Sequence, residues 1–270
     1  MTVIFNAKTT DAYHIKILVE LLTNNIKVAH LEIDQNGIRL CMMDSHRKIL
    51  IDFNLKAENF SLYKYKGEKM YLGLNLGHLH RVVKSVKKKD SIQLYIDDEN
   101  PTKLAIRVIP KENNRLTTSF ITIQTVQELA IDLPTGYGKP VIVSSSEFSK
   151  MLKDLSTIGT KTNVTAKNFH IRFNCETGGI LERTIEFGDV EEAENDEVSE
   201  EYNQEFMTEQ LTRITKISGL STQIKIFTGK PLLFRSNIGN LGEISIYIKS
   251  KDQLDDESHN VVEEDDYASD

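Results

Sequence analysis

Four short segments of helical period begin near residues 11, 77, 146 and 208, at intervals of 66, 69 and 62, and strand-like runs follow each of them. A chain patterned this way repeats one β-rich unit with a single helix four times, or a pair of units twice. The first helix is expected over residues 11–25, where Ile15, Leu18, Val19 and Leu22 share a face and Asp11 stands ready to cap. The others are expected at about 77–88, at 146–156 with Ser145 or Ser146 as cap, and at 208–217. Between them, alternation predicts strands at 28–33, 38–43, 48–55, 69–76, 91–96 and 103–109 in the first half. In the second half it predicts 140–143, 163–166, 169–174, 181–187, 223–227, 231–235 and 243–248. Runs of several strands between helices exclude a regular βαβ alternation, so the expected class is α+β with largely antiparallel sheets. Such sheets have edges to protect, and pairing them between subunits is one solution.

The midpoint, residues 122–136 (TIQTVQELAIDLPTG), begins like a strand, loses its alternation and closes on Pro134-Thr135-Gly136, a stop signal. The residues on either side follow the same plan. This stretch is therefore expected to be a surface connector between two similar domains, 1–121 and 137–251, with Leu129 and Ile131 partly exposed as a docking site.

Charge is unevenly spread. Residues 189–201 hold eight acids and residues 252–270 nine, with no Lys or Arg in either. Against a net charge of −7, setting those seventeen acids aside leaves a body at +10, compatible with a polyanionic partner if the cations share a face. The 252–270 tail is too acidic to bury and is expected to be disordered. Cys41 and Cys175 lie in separate strand-like runs without metal spacing, which suggests a reducing compartment. No apolar run reaches membrane-spanning length and the first residues lack the apolar core of a signal peptide, so no membrane partner is expected and the Asn163-Val164-Thr165 sequon carries no meaning.

Motifs for catalysis are missing. There is no phosphate-binding Gly-rich loop, no dinucleotide fingerprint, no HExxH and no Gly-x-Ser-x-Gly, and Gly229-Lys230 reads as a turn. His78 and His80, two apart on a helix, do not face each other, and Ser144-Ser145-Ser146 is explained by capping. No enzyme, cofactor or metal site is expected. The helix cations say more: Arg81 and Lys84, Lys150 and Lys153, and Arg213 and Lys216 are spaced by three, while the first helix offers Lys16 alone. Recurrence at equivalent places favours phosphate contact without base reading.

Residues 37–45 (GIRLCMMDS) followed by 48–55 resemble the signature strand pair of the proliferating cell nuclear antigen family, the eukaryotic-type DNA sliding clamps. Glu147-Phe148 through Gly159 resembles that family's third helix, Thr215-Lys216 with Leu220-Ser221 its fourth, and Pro231-Leu232 with Gly242 through Ile248 its last strands. The resemblance implies a homotrimeric ring of six similar domains, helices lining the hole and sheets forming the wall, around double-stranded DNA. Lys16, Arg81, Lys84, Lys150, Lys153 and Lys216 match the DNA-facing positions, to which we add Arg213. The family's hydrophobic pocket for partner peptides carries over to Met43, Leu50, Leu129, Ile131, Pro231, Tyr247 and Ile248. Lys48 stands where an apolar residue is usual, and Lys167 at the position of the family's ubiquitin-accepting lysine.

The partners so implied are DNA polymerase, other proteins with clamp-interacting motifs, and an ATP-dependent clamp loader, in the nucleus of a eukaryotic cell or otherwise in the cytoplasm or at a viral replication site. The implied subunit contact pairs edge strands at about 103–109 and 181–187, leaving the 189–201 loop outside. Two other readings stay open on the residues: a clamp-fold viral processivity factor acting as monomer or dimer, and an acidic scaffold for basic proteins.

Overall fold

The structure, a computed structural model, describes residues 3–112, 115–167, 169–188 and 202–258. The helical period marks a fourfold strand–helix–three-strand unit. The first unit is β1 (Val3–Thr9), α1 (Ala12–Thr23), β2 (Val28–Asp34), β3 (Gly37–Met43) and β4 (Ile49–Lys56). An extra strand β5 (Leu62–Tyr65) precedes the second: β6 (Lys69–Asn75), α2 (Leu76–Val83), β7 (Ser91–Asp97), β8 (Lys103–Ile109) and β9 (Thr117–Thr122). The third is β10 (Val141–Ser144), α3 (Ser145–Ser156), β11 (Lys161–Lys167), β12 (His170–Thr177) and β13 (Leu181–Phe187). In the fourth, β14 (Tyr202–Met207) and α4 (Thr208–Arg213) lead through a 3-10 turn (Thr215–Gly219) to β15 (Gln223–Phe227), β16 (Leu232–Ile238) and β17 (Gly242–Ile248).

These strands make three antiparallel sheets, ordered β5-β1-β7-β8-β9, β10-β15-β16-β17-β4-β3-β2-β6 and β13-β12-β11-β14. The middle sheet is shared by both halves of the chain. Its seam is β4 against β17, running antiparallel from Gly242 beside Leu55 to Ile248 beside Ile49. Within the repeat, β13 holds the place of β4 and β9 the place of β17. Among the described residues those two strands are unpaired on their outer sides, each ending a different sheet.

The helices lie in a row: α1 packs on α2 and on the 3-10 turn, and α3 packs on that turn and on α4. Their apolar faces (Ile15, Leu18 and Leu22 of α1; Phe148, Leu152 and Leu155 of α3) join one core cluster that runs through both halves. Burial of that apolar area is the main stabilising force. At the seam, the fully buried Asp44 carboxylate accepts from Arg213 Nη1 at 3.0 Å and from the backbone N–H groups of Lys48 and Ile49 at 2.8 and 2.9 Å. Arg213 Nε also donates to the Asn24 carbonyl, so one side chain of the second half ties down the signature loop and the end of α1.

The structure corrects several expectations. Asp11 does not cap α1; its Oδ2 accepts instead from Asn240 N–H across the seam. The α3 cap is Ser144, one residue earlier than expected, accepting from Glu147 N–H. Helix α2 ends at Val83, which puts Lys87, Lys88 and Lys89 in the following turn. The fourth helix breaks after Arg213, where Thr212 and Thr215 hydroxyls bond back to the carbonyls of Glu209 and Thr212 and compete with the helical ladder. Lys103–Ile109 is no edge, because β9 covers it. The sequence pattern does not anticipate β1, nor the short β5 and β14, the former crowded by charge and the latter following the acidic run.

Residues 251–258 are helical where a disordered tail was expected. Ser250 Oγ accepts from Gln253 N–H while Gln253 Oε1 accepts from Ser250 N–H, a reciprocal capping box, and Lys249 Nζ holds Glu257 at 2.5 Å. The rest of the tail and the acidic 189–201 run lie outside the described residues.

Candidate functional site

Two surfaces collect the predicted residues. On the exposed side of the helix row stand Arg81 and Lys84 at the end of α2, Lys150 and Lys153 on α3, and Lys216 on the 3-10 turn. Some already have local partners: Lys150 Nζ lies 2.7 Å from Glu147 and Lys216 Nζ 2.6 Å from Glu20. Such exposed pairs are weak and readily exchanged for another anion. Among the described residues Arg81, Lys84 and Lys153 have no ion-pair partner. Two predicted cations are occupied. Lys16 Nζ donates to the carbonyls of Lys84 and Val86, closing the end of α2, and Arg213 is held at the seam with Asp44. Helices α2 and α3 and the 3-10 turn thus present a cationic face contributed by three of the four units.

The second surface is on the opposite face of the shared sheet. Strand register places Met43 beside Leu50, Leu50 beside Tyr247, Tyr247 beside Leu233 and Leu233 beside Phe227. That is an apolar row across five adjacent strands, β3, β4, β17, β16 and β15, forming a cluster separate from the main core. Cys41, Ile131 and Tyr137 pack against it. The Tyr137 ring stands 6.1 Å from that of Tyr247 and 6.2 Å from that of Phe227, and its hydroxyl donates to the Pro231 carbonyl at 2.7 Å. Burial, aided by the nearby Asp52 charge, pushes the Cys41 thiol up to about 11. Burial likewise raises the Asp52 carboxyl, with Arg235 and Arg39 working against it.

Ile248 is not part of this row. Side chains alternate along a strand, so with Tyr247 facing outward Ile248 faces the main core, between its register partners Ile49 and Leu232. Leu233, Phe227 and Tyr137 are the members that sequence reasoning missed. The first two follow from Tyr247 once register is known; Tyr137 sits between Gly136 and Gly138 in an irregular stretch, with no signal of its own.

Over the row runs the segment from residue 123 to 140, without helix or strand beyond one bridge from Gln124 to Gly73. Gly73 admits this close crossing, since a Cβ would meet Val126 Cγ1 at 2.7 Å and the Gln124 Cβ and carbonyl oxygen at 3.1 and 3.2 Å. Residues 125–136 make no backbone hydrogen bond among the described residues. Leu129 is 44% exposed, and Leu133 borders a cleft of about 290 Å³ with Asp52, Arg235 and Tyr247.

Two family models match the chain: the N-terminal domain of proliferating cell nuclear antigen over residues 4–129 and its C-terminal domain over 134–251. The chain belongs to the proliferating cell nuclear antigen family. It is 24% identical over 253 residues to the proliferating cell nuclear antigen of Chaetomium thermophilum, covering 91% of this chain and 97% of the relative. It is 23% identical over 258 residues to a probable DNA polymerase sliding clamp of Paramecium bursaria Chlorella virus 1, covering 91% and 96%. An uncharacterized protein, 436R, of Invertebrate iridescent virus 6 is 25% identical over 294 residues, covering 94% and 96%. Membership of the proliferating cell nuclear antigen family makes the chain a DNA sliding clamp, a replication processivity factor of a non-catalytic family. Among the described residues no group of three or more His, Cys, Asp and Glu could hold a metal, and no helix is long and apolar enough to cross a membrane.

Proposed function

We propose that three copies close head to tail into a ring around duplex DNA, with the helix row inside and the Met43–Phe227 row outside. The observation that carries this is the unpaired pair of edges. Inside one chain β4 and β17 join the halves into a continuous sheet, and their counterparts β13 and β9 are free. Two unlike edges on one chain make a heterologous contact, which closes into a ring when the rotation allows. Exposed apolar residues on or beside these edges (Phe120 at 60%, Ile180 at 91%) support burial between copies. Domains at 1–121 and 137–251 then alternate around six positions.

Arg81, Lys84, Lys150, Lys153 and Lys216 contact phosphates, with no sequence reading, so the ring slides. Lys16 and Arg213 act behind this surface. Met43, Leu50, Leu129, Ile131, Pro231 and Tyr247 receive the apolar anchors of polymerase and repair-protein peptides, while the free backbone of 125–136 pairs with the incoming strand. The chain works without catalysis or cofactor, needs an ATP-driven loader to open the ring, and acts at the replication site, nuclear or viral. Light scattering behind a sizing column tests the assembly: the mass should be about three times the 30.8 kDa of one chain. A monomer at low micromolar concentration overturns the ring.

A further inference from the structure

Inside one chain the two halves meet through their helices as well as through β4 and β17. Helix α1, which belongs with β4, packs on the 3-10 turn that belongs with β17. The contact pairs opposite charges, Lys216 Nζ lying 2.6 Å from Glu20 on α1. It is also close, since a Cβ on Gly219 would come within 3.0 Å of Ile17 Cγ2. The free edges β13 and β9 belong with α3 and α2. In the head-to-tail ring the same junction therefore sets α3 of one copy against the end of α2 of the next.

Burial fixes which residues correspond. Ala12, Ile15, Leu18, Val19 and Leu22 are buried on α1, and Ser145, Phe148, Met151, Leu152 and Leu155 are buried on α3 at the same spacing. Glu20 thus corresponds to Lys153, and Ile17 to Lys150. On the other side, buried Leu79, Val83 and Val86 match Leu211, Ile214 and Ile217, which puts Lys84 level with Thr215 and Lys216. The inner junction joins a cation to an anion; the outer one sets Lys84 against Lys153. Past α2 the positive charge continues. Lys87, Lys88, Lys89, Lys111 and Arg115 line a cleft of about 900 Å³, and none has an ion-pair partner among the described residues. The cleft opens on the helix side of its sheet, because its Thr117 and Ser119 pair with the core-facing Val108 and Ile106. Like charges on both sides of a contact repel, so the junction gains from an anion between them.

We infer that a phosphate of the encircled duplex sits between Lys84 of one copy and Lys153 of the next, and takes the part that Glu20 plays inside the chain. This rests on the head-to-tail reading above. The duplex is then a component of the seam: this junction pushes the empty ring apart and draws the occupied ring together.

The test follows sedimentation on dilution at low salt for the parent, Lys84→Glu, Lys153→Glu and the two combined, with and without a short linear duplex. Without DNA each single reversal recreates the opposite charges of the inner seam, and its trimer should persist to roughly fivefold lower concentration than the parent's. The combined variant restores like charges and should return to the parent value. These differences should vanish near ~0.5 M salt, where the Debye length falls to a few Å. With the duplex the order should invert, the parent trimer now outlasting both single variants, because their carboxylates face the phosphate. Single variants no tighter than the parent without DNA mean that the two lysines do not meet, and the ring stands without the junction. Single variants that stay tighter than the parent on the duplex mean that no phosphate bridges the pair, which overturns the inference. Absence of any trimer in the parent sinks the ring and the junction together.

Discussion

At the scale of single residues, the same chemistry, a cation on a helix, has two fates here. Lys84 and Lys153 stand on the helix row with no ion-pair partner among the described residues, whereas Arg213 reaches back to a carboxylate with no exposure. Lys84→Glu with Lys153→Glu should leave the chain folded and assembled while weakening DNA retention and flattening its dependence on salt, since each lost phosphate contact lowers the slope by about 0.9. Unchanged polymerase processivity speaks against the assignment. Arg213→Ala should instead leave Asp44 buried without its cation and destabilise the chain by about 3 kcal/mol, read as a lower urea midpoint. Sequence spacing put Arg213 with Lys216 as a single face. The error has a physical source: the helix breaks between them, and helical spacing no longer places them side by side.

At the scale of elements, the legible part was the period. Four helix starts and most strands were readable because apolar residues recur at helical or strand spacing over long runs. Which face of β17 looks outward was not legible, because Tyr247 and Ile248 are both apolar; only pairing with Leu50 and Leu233 decides it. The helix at 251–258 was announced by Ser250 and Gln253, a capping box that the surrounding acidity obscured. The candidate pocket is likewise a product of several elements, with the apolar row supplied by five strands and its cover by an extended segment. Leu129→Ala with Ile131→Ala should therefore weaken binding of a polymerase-derived motif peptide by at least about tenfold with assembly unaltered. Calorimetry giving the parent affinity removes the pocket from that role.

At the scale of the whole molecule, the seam inside a chain and the seam proposed between chains are not equal. The inner one adds to its β4–β17 ladder the Arg213–Asp44 pair, the Asp11–Asn240 bond and the covalent link itself. The proposed outer one would rest on a ladder and side-chain contacts without a covalent link, so opening is expected there. Phe120→Glu, which sets a carboxylate on the β9 edge, should yield monomers on a sizing column; an intact trimer contradicts the placement of that edge. Because the two edges differ, the substituted chain still carries a sound β13. Mixed with parent chains it joins at that end and blocks the next addition, so a minority of altered copies should terminate many assemblies, and one such allele should be dominant over the normal one.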